Sequence, residues 1–402
     1  MRALALSLLF AVGVFAQDVD PGFTVVVSPY LTPFVPLSAE AQAVAEAGAF
    51  GHTEDPLRML DNPAVLAGFG DGVRVSGHLL TDWLGADDLQ SAGGAVAAGW
   101  RATLAGLPAT VGVGLAYGSF RQPVFDPLAD GFPTELPAAD EIQHDWERTV
   151  SLGVGVGVEG PVRVRAGVAG RSLRSVPLFD VFAPEPGGER ASALVADLGL
   201  DVTAPVGRWL QPEPTAAGVR GVIDVTLGYA LLGIGLTESD APSGYFAQPE
   251  RQAMAGISLR AGVDVRQRSA TPLRAVEAEF LTGAEDPGAA AFGLSASNVL
   301  LGADPSSQAV VRRAGRLTLG ETVALSAGTM EGATFVERDS WGFTISAGGA
   351  LRLVGALADR PDLHALGGRF DLRYTYARYT FDPGPDPFAT TPAHGLVVRV
   401  RP

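Results

Sequence analysis

The chain has 402 residues and no cysteine, and its 44 acidic residues outweigh 29 basic ones, all arginine, for a formal net charge of -15. The missing cysteines exclude a disulfide scaffold, a thiolate metal site and a lipoprotein anchor, and the acidic balance argues against nucleic acid as a partner. The 51 glycines and 29 prolines are spread through turns and strands rather than gathered in a low-complexity tract, so disorder is not indicated.

In chain order, residues 1–16 read as a secretory signal: a basic start at Met1-Arg2, an apolar run from Ala3 to Val14, and a small-residue cleavage site at Val14-Phe15-Ala16. No later stretch reaches the ~20 apolar residues of a spanning helix. Export without such a helix leaves a secreted, periplasmic or outer-membrane protein. Residues 17–70 do not alternate for long and are expected to form an N-terminal plug or periplasmic segment, with a short helix over Ser38 to Ala47 that Ser38 can cap.

From residue 71 to 402 the chain repeats segments of about ten residues that alternate apolar and polar, the pattern of a transmembrane β-barrel. In Thr149 to Val158, Val150, Leu152, Val154, Val156 and Val158 point one way and Thr149, Ser151, Gly153, Gly155 and Gly157 the other. The first segment starts near Val73. Further strands are expected over Val96 to Leu104, Val111 to Phe120, Thr149 to Val158, Val162 to Leu173, Ser192 to Thr203, Gly221 to Leu232, Met254 to Arg266, Leu273 to Leu281 and Ala290 to Leu300. The series continues over Val310 to Leu319, Glu321 to Thr329, Trp341 to Ala347, Ala350 to Leu357, Gly368 to Phe381 and Gly395 to Arg401. Some neighbours would be single bent strands, which brings the expected count to about 14.

Short turns such as Glu159-Gly160-Pro161 mark one rim, and long loops, among them Arg121 to Asp145 and Met330 to Asp339, mark the other. A slip of parity near Ala377 predicts a bulge. Trp83, Trp100, Trp341, Tyr374, Tyr376 and Tyr379 are candidates for aromatic girdles.

A soluble β-sandwich also alternates, with its apolar face turned into a core. The polar face here mixes Gly and Ala with Arg and Asp, unlike the Thr, Lys and Glu of a solvent-facing strand. A crowded lumen tolerates glycine and pairs its charges, so the barrel is the expected fold. Arg101, Arg163, Arg165, Asp197, Asp201, Asp224, Arg260 and Asp264 are the candidate lumen charges, holding the barrel's shape by pairing.

Ala43 to Ala67, with Gly48-Ala49-Phe50, Glu54-Asp55 and Asn62-Pro63-Ala64, resembles the N-terminal signature of the FadL-like outer-membrane barrels, including the PorV/PorQ branch. The resemblance implies a monomeric 14-stranded barrel in the cell outer membrane with an N-terminal plug. One branch of that family moves hydrophobic compounds, and another serves type IX protein secretion. The end of the chain, Val398 to Pro402, departs from the family's usual terminal aromatic. Read physically, Asn62-Pro63-Ala64 is a turn that redirects the chain into the first strand, with or without contact to a ligand.

No chemistry of an enzyme emerges. His52, His78, His144, His364 and His394 are scattered, and no nucleophile elbow is present. Gly153-x-Gly155-x-Gly157 lies inside a strand and opens no helix, while Glu277 and Glu279 read more simply as lumen charges than as a catalytic pair. The expected function is a non-enzymatic outer-membrane channel for small hydrophobic compounds, without a cofactor and with membrane lipid as its surroundings. A secretion component that binds exported proteins is the alternative.

Overall fold

The computed structural model describes residues 37–81, 90–124, 143–175, 191–215, 218–236, 252–266, 272–287, 310–332, 335–381 and 391–402. The expected signal peptide, Trp83 and the expected strand Ala290 to Leu300 lie outside these residues.

Fourteen antiparallel strands close on themselves, each paired with its neighbours in sequence, and β1 pairs with β14 to complete the ring. They are β1 (Gly72–Thr81), β2 (Gln90–Leu104), β3 (Leu107–Val124), β4 (Gln143–Glu159), β5 (Arg163–Ser175), β6 (Ala191–Ala204) and β7 (Val219–Gly235). The second half comprises β8 (Gln252–Val265), β9 (Leu273–Pro287), β10 (Val310–Leu319), β11 (Val323–Gly332), β12 (Phe335–Ser346), β13 (Phe370–Phe381) and β14 (Thr391–Val400). The closing register runs from Val73 opposite Val400 to Leu80 opposite Ala393.

The alternation resolves into outside and inside. On β4, Val150 and Leu152 are 45% and 66% exposed, whereas Thr149 and Ser151 are fully buried. Val75, Leu115, Leu198, Leu259, Phe280, Leu325 and Ile345 continue the apolar outer surface around the ring. Only a membrane can cover such a surface, and closure leaves no backbone edge unpaired in lipid. The fold is therefore a transmembrane β-barrel with its core inside. Trp100, Trp341 and Tyr374 stand exposed on the outer face.

Among the described residues, three register shifts interrupt the ladders, at Ala196/Leu198, Val263/Asp264 and Met330/Gly332. The bulge expected near Ala377 is absent. Pairing continues through Tyr376, Ala377 and Arg378, so Ala377 turns fully inward. The long loop expected over Met330 to Asp339 is instead the end of β11 and the start of β12.

The rim that carries the start of β1 and the end of β14 holds the tight β2–β3, β4–β5 and β10–β11 connections. Ala105-Gly106 links β2 to β3 with φ of 50° and 80°, which accounts for the glycine there. A short helix α2 (Val206–Leu210) lies between β6 and β7. The segment Ala350 to Leu357, expected as a strand, belongs to helix α3 (Ala347–Leu357), which α4 (Pro361–Arg369) follows before β13. An eight-residue apolar run is ambiguous in periodicity. The deciding signals are Ser346, whose hydroxyl accepts from the Gly349 N–H, and Pro361 at the first turn of α4.

Candidate functional site: the plugged lumen

Inside the ring, residues 37–70 form the plug: α1 (Ala39–Gln42), capped by Ser38, then three 3₁₀ turns at Ala47–Phe50, Pro56–Leu60 and Pro63–Gly68. The plug makes one lap of the inner wall, opposite inward glycines at nearly every step. Ala39 lies against Gly395 of β14, Ala43 against Gly342 of β12, and Ala45 against Gly328 of β11. Phe50 fills the space over Gly228 and Gly256 of β7 and β8. The lap continues with Asn62 at Gly199 of β6, Pro63 at Gly167 of β5, Leu66 and Ala67 at Gly155 of β4, Leu66 at Gly112 of β3, and Gly70 at Gly99 of β2. A β-carbon at Gly112 would stand 2.1 Å from the Leu66 carbonyl oxygen, and one at Gly167 would stand 2.3 Å from the carbonyl of Pro63. Between the two arcs, residues 51–61 cross the lumen. Glu54 reaches β1 and β14, and Leu57 and Met59 return to glycines of β2 to β4.

Charge fixes this crossing. Glu54 pairs with Arg74 at 2.8 Å and Arg399 at 3.0 Å, both buried. Burial pushes its carboxyl up, but Arg74, Arg373 and Arg399 together hold it well below the ordinary range. Arg74 also lies over the Phe69 ring, 4.6 Å from its centre. Glu40 pairs with Arg316 at 3.0 Å, and Glu46 with Arg312 at 2.9 Å. The His52 N–H donates to Glu279, and its carbonyl accepts from Arg316. Asp55 accepts from the Ser38 hydroxyl at 2.6 Å and from the Leu57 N–H at 2.9 Å. Burial, with Glu40 nearby, raises its pKa to about 6.

Asn62, Pro63 and Ala64 sit at the head of the second arc. The Asn62 side chain accepts from Ala64 N–H at 3.0 Å and donates to Asp201 at 2.9 Å and to the Ala49 carbonyl at 3.2 Å. All three residues are buried. The turn thus binds the plug both to itself and to β6.

The other candidate charges fall into three settings. Asp197 and Asp201 are buried in the lumen, Asp197 in an ion pair with Arg171, which also donates to the Leu60 carbonyl. Arg165 lies against Gly68 of the plug. Asp224, Arg260 and Asp264 join Arg274 and Glu277 in a network on β7 to β9, nearer the terminus-bearing rim. Arg163 and Arg101 instead serve that rim. Arg163 faces Glu159 at 3.7 Å, and Arg101, with its side chain 80% exposed, faces Asp71 at 3.2 Å. Arg101 has the inward parity of its strand but stands beyond the plug, where water reaches it. Sequence reasoning did not single out Arg74, Arg171, Arg312, Arg316 or Arg399 as lumen charges. Their inward parity was legible, but Arg74, Arg312, Arg316 and Arg399 pair with carboxylates of the plug and Arg171 donates to the Leu60 carbonyl there, and no periodicity connects the plug to a strand.

Between the plug and the wall, Glu40, His52, Arg58, Glu279, Leu281 and Arg316 surround a crevice too narrow to hold a water molecule. Toward the long-loop rim, Leu173, Val195, Leu232, Met254, Val310 and Met330 are buried apolar inward side chains, interleaved on β8 to β10 with buried Gln252, Glu285 and Arg312. Phe50 packs into this wall beside Ala230, Leu232 and Met254, and Ala45 beside Val310 and Met330.

No protein-family model and no curated protein matches the chain. Among solved structures it is similar to the β domain of the Bordetella autotransporter BrkA, at 9% identity and TM-score 0.40, covering 82% of this chain and 98% of that one. It is similar to a Pseudomonas aeruginosa FadL homologue, at 11% identity and TM-score 0.38, covering 91% and 99%. A third similar structure is the TodX deltaS2S3 mutant monoaromatic hydrocarbon channel, at 11% identity and TM-score 0.39, covering 90% and 97%. At these TM-scores the barrel is identified by its own strand pairing and outer surface, not by its neighbours.

Proposed function

We propose that this chain is an outer-membrane channel that admits small apolar molecules through its long-loop mouth and that residues 37–70 are its gate. The observation that carries this reading is the set of buried apolar side chains Leu173, Val195, Leu232, Met254, Val310 and Met330, which lie beside Ala45 and Phe50 of the plug even though Gln252, Glu285 and Arg312 are buried among them. An apolar solute gains by leaving water for these side chains. The closed plug then sets the rate of passage. In lipid vesicles, the full chain is expected to speed entry of an apolar fluorescent probe but not of a small sugar, and a chain lacking residues 37–69 is expected to admit both. If the full chain admits neither and the shortened chain both, the channel reading is lost.

A second reading, a non-transporting component of protein secretion that works through its external surface, is favoured by the plug's packing against nearly every strand. Exported proteins recovered by crosslinking from a vesicle-inactive barrel would support it.

A further inference from the structure

At the terminus-bearing rim, α3 and α4 join β12 to β13 and stand outside the strand ladder. They pack on each other through glycines. A β-carbon at Gly355 would stand 2.5 Å from the His364 backbone nitrogen, and one at Gly367 would stand 2.3 Å from the Gly348 carbonyl oxygen. The one charged residue of α3, Arg352, turns into the rim, where it pairs with Glu321 and donates to the Pro272 carbonyl. Leu353 lies against Gly320 of the β10–β11 connection. The opposite face carries Ala347, Val354 and Leu357, which share one side of a helix by their spacing and are all exposed, Leu357 by 75%. On α4, Leu366 is exposed as well.

A helix that meets water carries polar residues on its outer face, and one that is apolar all round is covered. Two observations point to lipid as the cover. The first is continuity: α3 follows Ile345 of β12 and α4 leads into Phe370 of β13, and both of these are exposed members of the apolar outer wall. The second is α2, which exposes Trp209 and Leu210, the latter by 75%. The Trp209 indole N–H donates to the Pro161 carbonyl at 3.0 Å, so its polar edge is tied to the rim while its ring stays free, as suits a tryptophan at a membrane interface. Strands β7 to β12 separate α2 from α3. A bound protein would cover one sector of the rim, whereas a lipid leaflet surrounds the ring and reaches both.

We infer that the α3–α4 hairpin and α2 lie in the headgroup region of the membrane leaflet on the terminus-bearing side, with Val354, Leu357, Leu366, Trp209 and Leu210 directed toward the acyl chains. The barrel is thus anchored by helices where its strand ladder stops. The inference does not depend on whether the lumen conducts, because it concerns the surrounding leaflet and not the path past the plug.

Because the chain has no cysteine, a single introduced cysteine carries a nitroxide label at a known position. The full chain with Leu357→Cys or Leu210→Cys is refolded into vesicles of phosphatidylethanolamine and phosphatidylglycerol. Ile345→Cys serves as the reference in the wall and Arg360→Cys as the reference in water. Oxygen concentrates among acyl chains and a nickel chelate stays in water, so the ratio of their collisions with the label reads its depth. The ratio at positions 357 and 210 is expected to be severalfold above that at 360 and to approach that at 345. A ratio at 357 equal to that at 360 would overturn the inference. So would a label that neither reagent reaches, which would assign the face to a protein cover such as a second copy of the chain. A shift in gel migration on boiling verifies that each variant is a closed barrel, and Leu366→Cys supplies the same reading should Leu357→Cys not fold.

Discussion

Along β2 to β6 the plug lies with its backbone against inward glycines, whereas along β9 to β14 and β1 it is held mainly by ion pairs. In the first region Gly99, Gly112, Gly155, Gly167 and Gly199 leave room for the chain from Asn62 to Gly70 and contribute no side chain of their own. In the second, Arg74, Arg312, Arg316 and Arg399 reach toward Glu40, Glu46 and Glu54. Both solutions fill the lumen, but they fail differently. A seat made of absent side chains is rigid and intolerant of added volume. A seat made of charges tolerates displacement but depends on both partners remaining ionised.

The largest effect should come from blocking the glycine seat. Gly112→Val combined with Gly167→Val places side chains where the plug backbone now runs, and overpacking typically costs about 1–3 kcal/mol per site or more. Because the clash is with backbone, the second arc must lift off. We expect a barrel that still shows heat-modifiable migration but conducts ions in a planar bilayer far above the intact chain. A tight, non-conducting double variant would show that the glycines are dispensable.

Breaking the charged seat should act on a smaller part of the plug. Glu54→Gln leaves Arg74 and Arg399 facing each other in a buried site, and removing one partner of a buried pair costs about 3–5 kcal/mol. The crossing arm, residues 51–61, should then exchange its amide hydrogens faster while the arc on β2 to β6 stays protected. Uniform loss of protection across both arcs would mean that the two regions are not separate.

Asp55 allows the comparison to be made by pH. Its carboxyl is raised to about 6 in the docked plug against an ordinary 3.8, so the docked state binds the proton more tightly than a released one. Docking is therefore favoured below the lower value and loses stability as pH rises through the higher one. Asp55→Asn removes that cost, and its plug should open less often than the intact one above about pH 6, with the two converging toward about pH 4. Single-channel opening frequency measures the difference, and parallel profiles would sink it. Glu54, shifted the other way, acts in the opposite sense at lower pH and is unchanged in both chains.

The smallest expected effect is at Ser38. Its hydroxyl caps α1 by accepting from Ala41 N–H at 3.3 Å and donates to Asp55. Ser38→Ala should loosen the start of the first arc by about 1 kcal/mol, read as faster exchange at Ala41 without any change in conductance.

Local signals in the chain carried much of this. The alternation at Thr149 to Val158 assigned inside and outside, because side-chain direction in a strand has period two whatever surrounds it. The break in alternation before Val73 marked the non-strand segment that lies inside the ring. The ambiguous case was Ala350 to Leu357, where a short apolar run fits either period and only the caps decide. The inward glycines were legible as a crowded face but not as a track.

By itself, then, the sequence determined a closed apolar-outside barrel of about 14 strands with a non-alternating leader, since periodicity and composition are local properties. Only the tertiary structure decided which glycine receives which plug residue, that Glu54 crosses to Arg74 and Arg399, and that Asn62 meets Asp201 from 139 residues away. Those contacts arise from ring closure, which brings together strands and plug residues that no repeat in the chain relates to one another.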